Sequence, residues 1–78
     1  MATLDELPLD GRARVVRVDG GDDVGLRLLE MGLTPGVEVR ILGFAPLGDP
    51  LELYLRGYTM TLRKEDAARI EVRPKEEI

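Results

Sequence analysis

Between Leu26 and Gly36 the chain reads LRLLEMGLTPG. The spacing of its apolar residues predicts the last turns of a short amphipathic helix and then a sharp reversal. At about 100° per residue, Val24, Leu28 and Met31 fall on one side with Leu29 beside them, while Arg27 and Glu30 face the other way. Gly20, Gly21, Asp22 and Asp23 mark the helix start, where a carboxylate accepts an orphan backbone N–H and faces the positive end of the dipole. Gly32 stands where a left-handed residue closes a helix, and Pro35-Gly36 forms a turn that launches a strand. Leu26 breaks the pattern, because it projects near Glu30 on the outer face.

Elsewhere the period is two. Arg12 to Val18 is rich in β-branched residues and bounded by Asp10-Gly11 and Asp19-Gly20-Gly21; its adjacent Val15 and Val16 imply burial on both faces or a bulge. Val37, Val39 and Ile41 alternate with Glu38 and Arg40 in a strand running to about Phe44. APLGDP, residues 45 to 50, is a loop, since its prolines, glycine and aspartate do not suit a central ladder. Leu51, Leu53 and Leu55 alternate with Glu52, Tyr54 and Arg56; Gly57 turns the chain into Tyr58 to Leu62, with Met60 and Leu62 inward and Thr59 and Thr61 outward. Lys64 to Ala68 has the composition of one helical turn, and Ile70 and Val72 make a last strand that Pro74 ends. Leu4 to Leu7 reads as a helical turn that lays Leu4 and Leu7 on the core.

These elements predict a mainly β fold: a small, bent, five-stranded SH3-like barrel with one short helix after the first strand and helical turns near both ends. An OB-fold is the nearest competitor, but it normally places its helix between later strands. The chain reads as one domain over residues 1–78, with a core of about 7–73 and a charged, fraying tail over 74–78.

A chain of 78 residues buries only about 60% of its unfolded surface. With neither cysteine nor histidine, disulfides and conventional zinc sites are unavailable, so a sheet curled on itself is the remaining economy. The chain also lacks serine, and its only aliphatic hydroxyls are Thr3, Thr34, Thr59 and Thr61, which excludes catalytic triads, thiol catalysis and imidazole base chemistry. There is no phosphate-binding G-x-x-x-x-G-K-S/T run. The expectation is a non-enzyme without a cofactor. Acidic pairs such as Asp22-Asp23 and Glu65-Asp66 read as helix caps and solvated faces, not metal ligands. A net charge of −4 makes nucleic acid an unlikely partner. No run is long enough to span a membrane, and Met1 to Leu9 lacks the layout of a signal peptide, so the expected location is the cytoplasm. Arg12, Arg14 and Arg17 read as a solvated strand edge that blocks sheet-to-sheet pairing.

Three positions suggest an interaction surface. Leu26 and Tyr54 are apolar or aromatic where charge is expected, and Leu47 sits at the tip of a rigid loop between a proline and a glycine.

The run Leu28-Leu29-Glu30-Met31-Gly32-Leu33-Thr34-Pro35-Gly36, followed by Ala45 to Pro50, Arg56-Gly57 and Leu62-Arg63-Lys64, resembles the FeoA family of small cytoplasmic accessory proteins of bacterial ferrous iron uptake. The similarity spans about Leu7 to Val72. It implies an SH3-like barrel and a partner: FeoB, the Fe²⁺ transporter that carries a cytoplasmic GTP-binding domain. The expected contacts with that partner are Leu26, Glu30, Met31, Leu33, Leu47 and Tyr54, of which Leu26 and Tyr54 lie outside the family pattern and are chosen for their unexpected exposure alone. Gly32, Pro35, Gly36, Pro46, Gly48, Asp49, Pro50 and Gly57 shape the fold as the family pattern. Alternatives are a stand-alone module related to the C-terminal SH3-like domain of DtxR-type metal-dependent repressors, with no winged helix preceding it, and a nucleic-acid-associated SH3-like module. Self-association through an exposed edge strand is a further one.

Overall fold

Apolar alternation becomes a six-stranded antiparallel sheet in the computed structural model, which describes residues 2–75. The strands are β1 (Ala2–Thr3), β2 (Arg12–Val18), β3 (Glu38–Phe44), β4 (Leu51–Leu55), β5 (Tyr58–Leu62) and β6 (Ile70–Pro74). Their spatial order is β1-β6-β2-β3-β4-β5. Strands β2 to β5 form a meander, and β6 returns to the free side of β2. Helix α1 (Asp23–Glu30) joins β2 to β3, α2 (Lys64–Ala67) joins β5 to β6, and a 3₁₀ turn (Leu4–Glu6) follows β1.

Register shifts at Val15/Arg17 against β6 and at Ile41/Gly43 against β4 are bulges, which bend a sheet and increase its twist. The adjacent valines therefore mark a bulge in β2. The concave side holds Leu4, Ala13, Val15, Leu28, Leu33, Val39, Ile41, Leu53, Leu55, Ile70 and Val72, all buried. Leu4 and Leu7 cover the core as expected. The Glu6 carboxylate fixes their turn by accepting the Thr3 backbone N–H at 2.8 Å and the Thr3 hydroxyl at 3.0 Å.

Four sequence expectations change. The sheet has a sixth strand, Ala2–Thr3, paired with Val72 and Glu71 and too short to carry a periodic signal. Pro74 does not end the last strand: it pairs with Ala13, and the Lys75 N–H still bonds the Arg12 carbonyl at 2.8 Å. The arginines of β2 do not lie on an edge, because β3 and β6 flank that strand. Arg17 pairs with Glu71 at 2.7 Å, and Arg14 lies 3.9 Å from Glu38. Leu29 belongs to the helix surface, not the buried stripe, at 36% exposure. The expected frayed tail falls at residues 76–78, outside the described residues, apart from Pro74 and Lys75.

Candidate interaction surface

Helix α1 is fixed at both ends by its own backbone demands. Asp22 accepts the Gly25 N–H at 3.0 Å, so it is the N-cap. Gly25 is buried, and close approach of the Gly20 carbonyl oxygen, 2.4 Å from where a Cβ would stand, leaves no room for a side chain. At the other end the Leu33 N–H bonds the Leu28 carbonyl at 3.2 Å and the Gly32 N–H bonds Leu29 at 3.0 Å, with Gly32 at φ 106°. This is a Schellman closure, and its characteristic apolar contact drives the residue after the glycine inward. Leu33 is accordingly fully buried. The Tyr58 hydroxyl donates to the Met31 carbonyl and ties this helix end to the β4–β5 hairpin.

The N-cap has a second partner. Arg69 donates to Asp22 at 2.8 and 2.9 Å, and its carbonyl accepts the Asp19 N–H at 2.6 Å. The hydrogen bond from Arg69 and then that from the Gly25 N–H hold the Asp22 carboxyl below its ordinary range, and the Arg69 guanidinium is raised in turn.

Between those anchors Leu26 is 57% exposed, and with Leu29 it lines a shallow depression shared with Gly20, Gly21, Asp22 and Asp23. One helical turn separates the pair, which puts them on one face. Glu30 is exposed beside Leu26. Met31 is half-buried against the core and lines a different depression with Arg27, Pro50 and Arg63.

The 45–50 loop is rigidly closed. Gly48 N–H bonds the Ala45 carbonyl at 2.7 Å, Ala45 N–H bonds the Pro50 carbonyl at 3.0 Å, and the Asp49 carboxylate accepts the Lys64 N–H, the first of α2, at 2.9 Å. The Asp49–Pro50 peptide is cis. On this frame Leu47 is 96% exposed. Contacts of Ala45, Gly48, Asp49 and Pro50 thus frame a loop from which the Leu47 side chain projects into solvent.

Tyr54 is exposed on the convex face of the sheet, directly opposite Arg40 and Thr59. Gly57 follows Arg56 in a two-residue hairpin turn with φ values of 86° and 51°, the left-handed pair that such a turn requires. Pro35 and Gly36 form the predicted turn, closed by the Val37 N–H on the Thr34 carbonyl at 3.1 Å.

The predicted contact residues therefore separate. Leu26 and Glu30 share the outer face of α1, Leu47 stands on its loop, and Tyr54 lies on the outer sheet face. Leu33 leaves the set because its side chain is in the core. The sequence reading missed Leu29, although its i,i+3 spacing from Leu26 carried the signal. It also missed the arginines around Tyr54, whose alignment depends on strand register. Among the described residues no group of three or more acidic side chains is placed to hold a metal, and no helix is long and apolar enough to cross a membrane.

A curled antiparallel sheet with a helix after its first long strand, carrying single apolar side chains on rigid supports, defines a small SH3-like β domain. The chain belongs to the FeoA family: the FeoA domain model matches residues 2–74. An Fe(2+) transport protein A/Fe(2+) transporter FeoB fusion protein of Porphyromonas gingivalis is 42% identical over 69 residues, covering 88% of this chain. The chain spans only 8% of that relative's length. An FeoA-like protein of Clostridium acetobutylicum superposes with a TM-score of 0.92 at 35% identity, over 99% of this chain and 90% of its own. FeoA of Stenotrophomonas maltophilia, solved with zinc and described as a prokaryotic SH3 domain protein, gives 0.83 at 35% identity over 94% and 91%. A manganese-dependent transcriptional repressor shares the fold, with a TM-score of 0.84 at 17% identity over 94% of this chain and 36% of its own. The family is linked to ferrous iron transport, and the fold is common to it and to metal-dependent repressors.

Proposed function

We propose that this chain is a non-enzymatic regulatory module of ferrous iron uptake that docks on the cytoplasmic side of the FeoB transporter. The observation that carries the reading is the P. gingivalis fusion, in which a segment 42% identical to this chain is covalently part of an FeoB transporter. Fusion keeps the two parts at a high effective concentration, as suits domains that act together through a shared surface.

The surfaces best suited are the Leu26–Leu29 face of α1, with Glu30 at its side, and Leu47 on its loop. Both present apolar area on backbone that is already fixed, so docking loses little conformational entropy. The module acts by binding one transporter state more tightly than another, since a ligand shifts an equilibrium only by its difference in affinity. Replacing Leu47 or Leu26 with Asp weakens binding to FeoB and leaves the circular dichroism spectrum of the domain unchanged. Unimpaired binding by both variants refutes this choice of surface.

A further inference from the structure

The convex face around Tyr54 has a charge pattern that the docking reading does not use. Arg12 of β2, Arg40 of β3 and Tyr54 of β4 lie in one cross-strand row, each directly opposite the next. With Arg56 they line a depression whose only carboxylate among the described residues is Glu38. That carboxylate is already held by Lys75 at 2.6 Å, with Arg14 at 3.9 Å. Asp10, 3.0 Å from Arg40, is 66% exposed and makes an ion pair that water and competing anions readily exchange. Arg12 has no carboxylate partner among the described residues, and the shielded Nε of Arg40 finds no acceptor there.

The fold accepts a cost to assemble this face. Like charges directly opposite each other on neighbouring strands are destabilising. Here Arg12 faces Arg40, while beside them Arg14 lies between Arg73 of β6 and Glu38 of β3. On a chain of net charge −4 this is a local concentration of guanidinium groups around an exposed aromatic ring.

We infer that the Arg12–Arg40–Tyr54–Arg56 face is a docking site for an acidic peptide segment of a protein partner. Guanidinium forks match carboxylates in pairs, and the Tyr54 ring offers a flat apolar surface to the side chain between them. A peptide fits better than a nucleic acid. A short acidic segment meets only the local field, whereas a long polyanion meets the repulsion of the whole acidic chain. The inference rests on the reading that the chain works by protein contact, and it adds a second surface of different chemistry from the Leu26 face.

The test is an NMR titration of the ¹⁵N-labelled full chain with a capped peptide of alternating glutamate and leucine. Its glutamine counterpart, inorganic phosphate and a short DNA duplex serve as competitors. Saturable shifts at the amides of Arg12, Arg40, Tyr54 and Arg56, weakened about tenfold by Arg12→Glu and unchanged by Leu26→Asp, are the expected result. Arg56→Glu serves if Arg12→Glu does not fold. Shifts elsewhere, no shifts, or displacement by phosphate, DNA or the glutamine peptide overturn the inference. The peptide assay contains no FeoB, so its failure alongside intact FeoB binding removes this site alone, and the converse removes the docking reading alone.

Discussion

The guanidinium of Arg69 meets the carboxylate of Asp22 at 2.8 Å, and so the residue that caps the start of α1 is also tied to the connection between α2 and β6. The two residues are far apart in sequence. Together they set the position from which Leu26 and Leu29 face outward.

Asp22 has two roles that substitution separates. Asp22→Asn keeps an N-cap acceptor and loses the ion pair, whereas Asp22→Ala loses both. The urea midpoint is expected to fall in the order wild type, Asp22→Asn, Asp22→Ala. In Arg69→Ala the difference between aspartate and asparagine shrinks. Equal midpoints for wild type, Asp22→Asn and Asp22→Ala contradict the assignment.

Acid removes stability from three exposed carboxylates. The Thr3 backbone N–H, the Arg69 guanidinium and the Lys75 ammonium are the main causes holding Glu6, Asp22 and Glu38 respectively below their ordinary values. A depressed carboxyl contributes stability that is complete above its unfolded pKa and is lost as pH falls through the folded one. Urea midpoints are therefore flat between pH 6 and 8 and decline progressively below about pH 5. The loss is smaller in a variant carrying Glu6→Gln, Asp22→Asn and Glu38→Gln together.

Gly25 reverses the usual helix rule. In an exposed helix interior, glycine to alanine gains about 1 kcal/mol. Here the new Cβ would lie 2.4 Å from the Gly20 carbonyl oxygen, so Gly25→Ala lowers the thermal midpoint. A rise in the midpoint would show that the β2–α1 connection yields easily.

Leu33 and Leu47 were grouped by sequence and are separated by structure. Leu33→Ala, at a fully buried site, costs about 2–5 kcal/mol of folding stability by chemical denaturation. Leu47→Ala, at 96% exposure, leaves stability within about 0.5 kcal/mol of wild type.

Local chemistry was legible where one element decided it. The Asp-rich start and Gly32 stop of α1, the Pro35-Gly36 turn and the period-two strands all stand where the pattern placed them, because caps, turns and alternation act within a few residues. What was not legible depended on distant pairing. Arg12, Arg14 and Arg17 read as an edge because nothing local reveals that β6 returns beside β2. Ala2–Thr3 is a strand only by virtue of Val72 and Glu71. Leu33 is buried by the geometry of the helix closure, a consequence of Gly32 that the apolar spacing alone did not separate from a surface role. For the candidate surface, exposed Leu26, Leu47 and Tyr54 came from parity and loop chemistry, while the arginine row beside Tyr54 required the register of three strands.

The most direct measurement is an isothermal titration of this protein into detergent-solubilised full-length FeoB of the same organism, with and without a non-hydrolysable GTP analogue, repeated with Leu26→Asp. The account predicts saturable binding that differs between the two nucleotide states and is weakened at least about tenfold by the substitution. Absence of binding in both states, or binding equal in both and indifferent to Leu26, contradicts it.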